Sequence, residues 1–361
     1  MALHGTRDLL ARWSGSPRLV GLLVGVLAFL VVLLREPYAI LHPQFIWEET
    51  RDLWTPTFTL APLRDLVEPT AGYLQVVSRA AFLVARVGPP ELAPAVAILI
   101  HAAIIALVAA FLASDRLAGA IPDRRVRLGF ALAIPLLPVP EPFISVLSVQ
   151  WFLALYLAGV SLTTVVRRFD YVGVAIAGLS GIGAVLTLPL FWRDRRGLVL
   201  LACAGAQAVV LLGSNRRPVA LDLLAPLSRV GIGIIPILLA LALVRTLPPR
   251  TVLTFVYLAA VTAAAGTLAA TRDVIADPAL AGRFFFATAA VVALLAVAGV
   301  VARRPAAALL CAVLIGAALF SFAIPEPPDV DWADHAHCIG GPVACLVPAY
   351  PPNLSVSWPG R

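Results

Sequence analysis

The sequence predicts an all-α integral membrane protein with ten or eleven transmembrane helices and an acidic first extracytoplasmic loop. Of its 361 residues, 61% are hydrophobic and only 13% are charged, whereas soluble domains carry about 25% charged residues. Mean hydropathy is +0.95. Apolar runs recur at about the 20-residue length that a helix needs to cross a bilayer. A soluble helical protein of this composition would have almost no polar surface.

All the basic residues are arginines, and the net charge of +7 comes from arginines at the ends of apolar segments. This pattern is typical of topology signals and of contacts with phosphate headgroups, so membrane lipids are expected partners. The sequence contains no basic stripe and no nucleic-acid-binding motif. We therefore expect no nucleic acid partner.

The first element is an apolar run at about 19–35 that follows three arginines in residues 1–18. Because no small-residue cleavage site follows it, we predict a retained helix with a cytoplasmic N-terminus. The acidic loop, 36–69, then lies outside. The segment 70–87 carries two arginines, so it is either an amphipathic helix on the outer surface or a span whose arginines face the protein interior.

The remaining predicted spans are connected by short loops that are often rich in Arg and Pro. They lie at about 91–113, 127–139, 143–166, 171–191, 197–213, 226–245, 251–270, 282–301 and 304–324.

Four of the connecting loops are arginine-rich and all favour the cytoplasm, which a strictly alternating path cannot provide. These loops are 114–127, 167–168, 192–196 and 302–304. One solution keeps 70–87 on the surface and makes 171–191 re-entrant, since the glycines at 178, 181 and 183 permit a broken helix. The transmembrane domain then covers 1–324, and the tail, 325–361, lies outside.

The tail carries two of the four cysteines, Cys338 and Cys345, in a C-x6-C spacing. In an oxidising extracytoplasmic compartment this spacing is compatible with a disulfide. Zinc is the weaker alternative because only His335 and His337 lie nearby. We expect the Pro- and Gly-rich tail to form an ordered but irregular cap.

Chemistry is expected in the polar stretch 43–79, because it is the longest interval in the first 300 residues that cannot enter a bilayer core. Glu48 and Glu49 follow an aromatic stretch, and a carboxylate on poorly solvated surface has a raised pKa that suits a general base. Asp52 lies in the same loop. This acidic pair also leaves room for a divalent metal, and the alternative is an ordinary solvated loop.

Two arginines are candidate phosphate ligands. Arg79 and Arg283 are both predicted at the outer interface, and a guanidinium suits bidentate contact with phosphate. Snorkelling to headgroups or anchoring of a helix end would explain them equally well. His101 lies deep in an apolar run, where either a proton relay or a bond to a neighbouring helix would account for it.

Several short motifs, in order, resemble a group of bacterial polytopic proteins that look like type C glycosyltransferases. The motifs are PQFIWEE at 43–49, AGYLQVVSR at 71–79, QWFLALYLA at 150–158, LSGIGAVLTLPL at 179–190, GRFFF at 282–286 and the cysteine-containing tail. The chain departs from the group's pattern in three places: the group's E-D-G is Glu48-Glu49-Thr50 here, Ile182 replaces a proline, and Ser148 and Val149 precede Gln150 where the group has an asparagine.

This resemblance implies an enzyme of the bacterial cytoplasmic membrane that moves a sugar from a polyprenyl-phosphate donor to an acceptor on the outer face. Glu48 or Glu49 would act as the catalytic base. The predicted substrate-binding residues are Asp52, Tyr73, Arg79, Gln150, Trp151 and Arg283. The alternatives are a transporter or flippase, whose pathway would use His101 and Gln150, and a structural subunit of an envelope complex.

Overall fold

The structure, a computed structural model, describes residues 16–46, 49–70, 72–213, 247–269, 278–324, 327–349 and 354–358. These residues are mostly helical. The longer helices are α1 (Pro17–Arg35), α2 (Val76–Ala85), α3 (Ala93–Ala113), α4 (Arg124–Ala133), α5 (Val149–Ser161), α6 (Arg168–Gly178), α7 (Arg196–Gly213), α8 (Pro249–Ala269), α9 (Pro278–Val301) and α10 (Pro305–Phe320). The predicted span 226–245 lies outside the described residues.

Short elements fill the connections between these helices. A π-helix covers Glu49–Trp54, and short α-helical turns cover Tyr38–Leu41, Pro56–Thr59, Pro62–Val67, Glu141–Ile144, Gly183–Thr187 and Trp332–Ala336. Turns of 3-10 helix cover Pro90–Leu92, Asp115–Leu117, Ile134–Leu136, Val146–Ser148 and Leu188–Phe191. Strands β1 (Cys345–Ala349) and β2 (Leu354–Trp358) pair antiparallel, with Cys345 opposite Trp358.

Proline and small residues set where the helices begin and how closely they pack. Pro17 and Pro305 each lie in the first turn of a helix, where the missing N–H costs nothing and the fixed φ favours helix. Gly25 in α1 faces the carbonyl of Ala106 in α3, and a Cβ at this glycine would lie 3.3 Å from that oxygen. Small residues of this kind let two apolar helices approach closely.

Three helices are long and apolar enough to cross a membrane: Pro90–Ala113, Arg196–Gly213 and Gly282–Val301. They coincide with three of the predicted spans, 91–113, 197–213 and 282–301. Five further apolar helices in the described part of the chain have only 10–17 residues. Among these, α2 has ten residues, which is far shorter than the roughly 20 that a crossing needs.

Three of the arginine-rich loops meet at one end of the bundle, together with the loop before α8. We call this the basic end and define it by the loops 114–127, 161–168, 192–196 and 247–251. Arg116 and Arg196 both bond Asp170, with N–O distances of 2.7 and 3.4 Å. Arg250 donates to the carbonyl of Ser161, and Thr251 donates to that of Ala120.

The segment 168–191 leaves the basic end and returns to it. Helix α6 rises to Leu179, whose carbonyl accepts from Val76, and the chain then turns at Gly181, which has a φ of 114°. Gly183–Thr187 and Leu188–Phe191 lead back to the arginine loop at 192–196. The break lies among the glycines where the sequence predicted it, and both ends of this hairpin lie at the basic end.

The tail covers the acidic loop at the opposite end of the bundle. Trp332 packs against Phe45 with ring centroids 4.8 Å apart, and Trp358 packs against Phe58 at 5.1 Å. A disulfide joins Cys338 to Cys345. The tail is therefore more regular than the sequence indicated, because it contains a helical turn and a β-hairpin.

Candidate active site

Glu49 is held in a fixed position at the start of the π-helix. Its side chain is buried, and its Oε1 accepts hydrogen bonds from Ser145 Oγ at 2.5 Å and from the amide of Val146 at 3.2 Å. Ser145 itself caps the following 3-10 turn through the amide of Leu147. The amide of Ile46 donates to Glu49 Oε2 at 3.4 Å. The sequence predicted a catalytic carboxylate here, and in the structure both of its oxygens have neighbours that orient them.

Glu36 is the carboxylate that sequence reasoning missed. It follows the last residue of α1, is 2% exposed, and neither carboxyl oxygen has a hydrogen-bond partner among the described residues. Burial raises the pKa of Glu36 well above its usual value, the adjacent Arg35 lowers it in part, and the negative charge of Glu49 raises it further. Glu36 therefore favours the protonated form.

Arg35 does not neutralise Glu36 by an ion pair, because its guanidinium is committed elsewhere. It donates to the carbonyls of Pro135, Leu137, Ser321 and Phe322. This contact ties the end of α1 to the ends of α4 and α10. The orphaned carboxyl of Glu36 thus lies where three helices end.

Glu141 and Arg283 form the next pair at this end. Glu141 is 1% exposed, Arg283 Nη1 lies 3.1 Å from its Oε1, and the amide of Arg283 donates to its Oε2 at 2.8 Å. The Arg283 side chain is 36% exposed, so a ligand can reach it. We use the name acidic cluster for two pairs at this end of the bundle: Glu36 with Glu49, whose charges interact, and Glu141 with Arg283, which form an ion pair.

Three further residues that the sequence predicted as substrate contacts, Tyr73, Gln150 and Trp151, lie in two contacts. Gln150 Nε2 donates to the Tyr73 hydroxyl at 3.1 Å. The Trp151 ring meets Phe284 edge-on at 5.9 Å, and the Arg283 guanidinium lies 5.1 Å above the Phe284 ring. The indole N–H of Trp151 and Oε1 of Gln150 are buried without partners in the described part of the chain.

Arg79 lies in a different environment from the one predicted for a phosphate ligand. Its side chain is 1% exposed and donates to Asp65 Oδ1 at 2.5 Å, to Thr70 Oγ1 at 2.8 Å and to the carbonyl of Asp52 at 3.0 Å. Through these bonds Arg79 joins Asp65, Thr70 and the backbone of the acidic loop, while its Nε has no partner among the described residues. Burial raises the pKa of Asp65 despite the opposing charge of Arg79.

The remaining candidates from the sequence, Asp52, His101 and Glu48, are not part of the acidic cluster in the described residues. The Asp52 carboxylate bonds the exposed Arg51 at 2.6 Å and not a residue of the acidic cluster. His101 Nε2 lies 3.1 Å from the carbonyl of Pro142, so a structural bond accounts for it. Glu48 lies outside the described residues. Within those residues, no three His, Cys, Asp or Glu side chains are grouped to hold a metal ion.

An apolar groove ends close to Arg35 and Glu36. It has a volume of about 270 Å³ and is lined by residues of α4, α9 and α10 together with Leu137 and Phe322. The carbonyls of these last two residues accept hydrogen bonds from Arg35. The groove therefore reaches the residues that bind Arg35, which precedes Glu36 in the chain.

Comparisons with known proteins returned no similarity. No protein-family model, curated protein or solved structure matches the chain. Any argument about function therefore uses only the geometry of the acidic cluster and the resemblance of the motifs.

Glu36 and Glu141 escaped sequence reasoning because each follows an apolar run and looks like an ordinary helix-end charge. One signal was available for both: each glutamate is followed by proline, in the sequences REPY at 35–38 and PEPF at 140–143. Proline ends or redirects a helix, so these carboxylates lie at bends where side chains from several helices meet.

Proposed function

We propose that the protein is a membrane glycosyltransferase that moves a sugar from a polyprenyl-phosphate donor to a hydroxyl group of a cell-envelope acceptor. The observation that carries this proposal is the acidic cluster, in which three buried carboxylates and an accessible guanidinium gather at one end of the bundle beside an apolar groove. Multi-pass insertion with ten or eleven crossings belongs to the same proposal.

Glu49 is the base in this mechanism. Its carboxylate takes the proton of the acceptor hydroxyl as that oxygen attacks the anomeric carbon of the donor. Ser145 and the Val146 amide bond Oε1, and the Ile46 amide bonds Oε2, so the carboxylate has a fixed orientation. A base held in this way contributes typically about 10²–10⁴-fold to rate.

Arg283 and Glu36 act on the leaving group. The bond between the anomeric carbon and the phosphate oxygen breaks, and negative charge builds up on the polyprenyl phosphate. The Arg283 guanidinium, which Glu141 orients, stabilises that charge. A protonated Glu36 would donate a hydrogen bond to phosphate, whereas an ionised one would repel it.

The apolar groove gives the lipid part of such a donor a place to lie. Its lining is almost entirely aliphatic, and its end adjoins the bonds that Arg35 makes to Leu137 and Phe322. A polyprenyl chain in this groove would bring its phosphate toward Glu36 and Arg283. The proposed donor therefore matches the groove and the acidic cluster together.

Transport is less well supported. A transporter is expected to gather its polar groups near the middle of the bilayer. The polar groups of the acidic cluster instead lie at helix ends, at the end of the bundle opposite the arginine loops. His101, the residue that the transport hypothesis would use, bonds a backbone carbonyl and packs edge-on against Phe152.

The test is a transfer assay on membranes that contain the full chain, with radiolabelled polyprenyl-phosphate sugars as donors. Glu49→Gln keeps the shape of the side chain and removes the base, so we expect transfer to fall by about 10²–10⁴-fold. Glu68→Gln, in the same loop but partly exposed, is the matched control and should retain wild-type transfer. Transfer at the wild-type rate by Glu49→Gln would remove Glu49 from the mechanism.

A further inference from the structure

A second cavity lies at the basic end, far from the acidic cluster. It has a volume of about 1100 Å³ and extends between the start of α6, the start of α7 and the start of α8. Helix α5 runs from Gln150 beside the acidic cluster to Ser161 at this cavity, a rise of roughly 16 Å at about 1.5 Å per residue. The two sites are therefore separate.

Six arginines line this cavity, which we call the arginine cavity: Arg167, Arg168, Arg193, Arg195, Arg196 and Arg250. Asp194 is the one carboxylate in its lining. Positive charge of this density in a concave surface raises the local concentration of anions, because the surrounding protein focuses the field.

The most buried arginine of the lining, Arg196, has carboxylate partners within the protein and lies at the floor of the cavity. Arg196 is 1% exposed, pairs with Asp194 and Asp170, and donates to Thr163 Oγ1 at 2.7 Å. Arg116 shares Asp170 at 2.7 Å. Asp170 and Asp194 are thus already paired with Arg116 and Arg196, and these ion pairs fix the floor of the cavity.

Apart from Arg196, the lining arginines form no ion pair with an Asp or Glu of the described residues. Arg250 donates to the carbonyl of Ser161, and Arg167, Arg168, Arg193 and Arg195 are exposed at the rim. Their charges are uncompensated by the protein. Guanidinium groups in this state are well shaped for bidentate bonds to phosphate oxygens.

The rim also exposes large apolar side chains, which selects among phosphate-bearing ligands. Trp192, in the cavity lining, is 86% exposed, and Phe169 and Val165, next in sequence to the lining residues Arg168 and Val166, are 76% and 66% exposed. Aromatic residues in this arrangement are typical of the membrane–water interface, and a soluble phosphate compound would leave them in water. A lipid would cover them with its glycerol and upper acyl chains.

We propose that the arginine cavity binds the headgroup of an anionic phospholipid, with the phosphate on Arg168, Arg193 and Arg195 and the acyl chains along Trp192 and Phe169. Basic pockets between membrane helices on the cytoplasmic side recognise lipid headgroups by this chemistry. The proposal does not depend on glycosyl transfer, since it uses none of the residues of the acidic cluster.

The experiment is native mass spectrometry of the full chain in detergent, titrated with cardiolipin, phosphatidylglycerol or phosphatidylcholine. The test variant is Arg168→Gln/Arg193→Gln/Arg195→Gln. The matched control is Arg125→Gln/Arg303→Gln/Arg304→Gln, which removes three exposed arginines outside the cavity. The expected result is on the order of 100-fold weaker binding of cardiolipin and phosphatidylglycerol in the test variant only, with phosphatidylcholine bound weakly by all forms.

Two outcomes would overturn the proposal. Equal loss of anionic lipid from both triple variants would mean that overall charge, and not the cavity, attracts the lipid. Inorganic pyrophosphate that binds in a manner sensitive to the test variant, while lipid binding does not change, would identify a soluble phosphate as the ligand. Monodisperse elution and an unchanged melting temperature verify that each variant is folded.

Discussion

At the scale of single residues, Glu36 has the most unusual environment in the described part of the chain. A buried polar group without a hydrogen bond destabilises a protein. The carboxyl of Glu36 is 2% exposed and unpartnered, next to an arginine that bonds carbonyls instead. Such a group is typical of a functional site whose ligand supplies the missing partner.

Glu36→Gln is expected to stabilise the protein, increasingly so as pH rises. Because the pKa of Glu36 is raised in the folded state, the folded protein keeps a proton that the unfolded chain releases above pH 4.5. Unfolding free energy of the wild type therefore falls as pH rises from 4.5 toward the folded-state pKa. Glutamine lacks this titration, so its advantage grows by up to about 1.4 kcal/mol per pH unit in that window.

Melting temperatures of the two proteins in detergent between pH 4 and pH 8 test this expectation. The difference between Glu36→Gln and wild type should vanish at the acid limit and widen toward neutrality. Glu91→Gln, at a partly exposed position, is the control and should follow the wild type throughout. A constant difference at every pH would show that Glu36 does not change its protonation on folding.

The sequence could point to candidate site residues where a local motif marks them, but not where their surroundings depend on residues distant in the chain. The aromatic and acidic character of 43–54 indicated Glu49, and the motif order indicated Gln150 and Trp151. Arg79 was predicted as a phosphate ligand because its partner, Asp65, lies in a stretch that reads as an exposed loop. Only folding shows that Asp65 is buried beneath it.

At the scale of elements, the hairpin 168–191 shows how glycine sets the geometry of a site. Gly181 adopts a φ of 114°, and its amide donates to the carbonyl of Leu74 at 2.7 Å. A Cβ at this position would lie 2.3 Å from Gln150 Oε1. The turn of the hairpin thus holds Gln150 against Tyr73.

Gly181→Ala is therefore expected to destabilise the protein and to displace Gln150. The strained backbone costs about 1–3 kcal/mol, and the close contact with Gln150 adds to that cost. We also expect sugar transfer to fall, since Gln150 would lose its bond to Tyr73. Thermal unfolding and the transfer assay measure the two effects.

Gly205→Ala provides the opposite control. Gly205 lies within α7, and a Cβ there would meet no atom within 4 Å. Replacing it should stabilise the protein by about 0.4–1 kcal/mol, because the unfolded chain loses freedom. If Gly181→Ala melts at or above the melting temperature of Gly205→Ala, Gly181 does not adopt the positive φ of this turn.

The elements themselves were predictable to different degrees. Apolar length identified Ala93–Ala113 and Arg196–Gly213 within a few residues. The break near Gly181 followed from its glycines. The hairpin of Cys345–Ala349 with Leu354–Trp358 was not foreseen, because Pro348 and the short strands conceal the alternation that marks a sheet.

At the scale of the whole molecule, the two ends of the bundle carry opposite chemistry. The arginine loops gather at one end, and the acidic cluster and the tail lie at the other. Charge alone could not predict the path of the chain through the membrane, because four arginine-rich loops all favour the cytoplasmic side. The hairpin 168–191 returns the chain to the end from which it left, as the sequence prediction of a re-entrant segment requires.

This polarity predicts the orientation of the protein in a membrane. Arginine-rich loops stay in the cytoplasm, so the acidic cluster and the disulfide-containing tail are expected outside. Single cysteines at the exposed positions Asp334 and Arg125, introduced into a Cys203→Ser/Cys311→Ser background, report on the two ends. A membrane-impermeant maleimide should label Asp334→Cys in intact cells and Arg125→Cys only after lysis. Labelling in the reverse pattern would place the acidic cluster in the cytoplasm, where a donor on the outer face could not reach it.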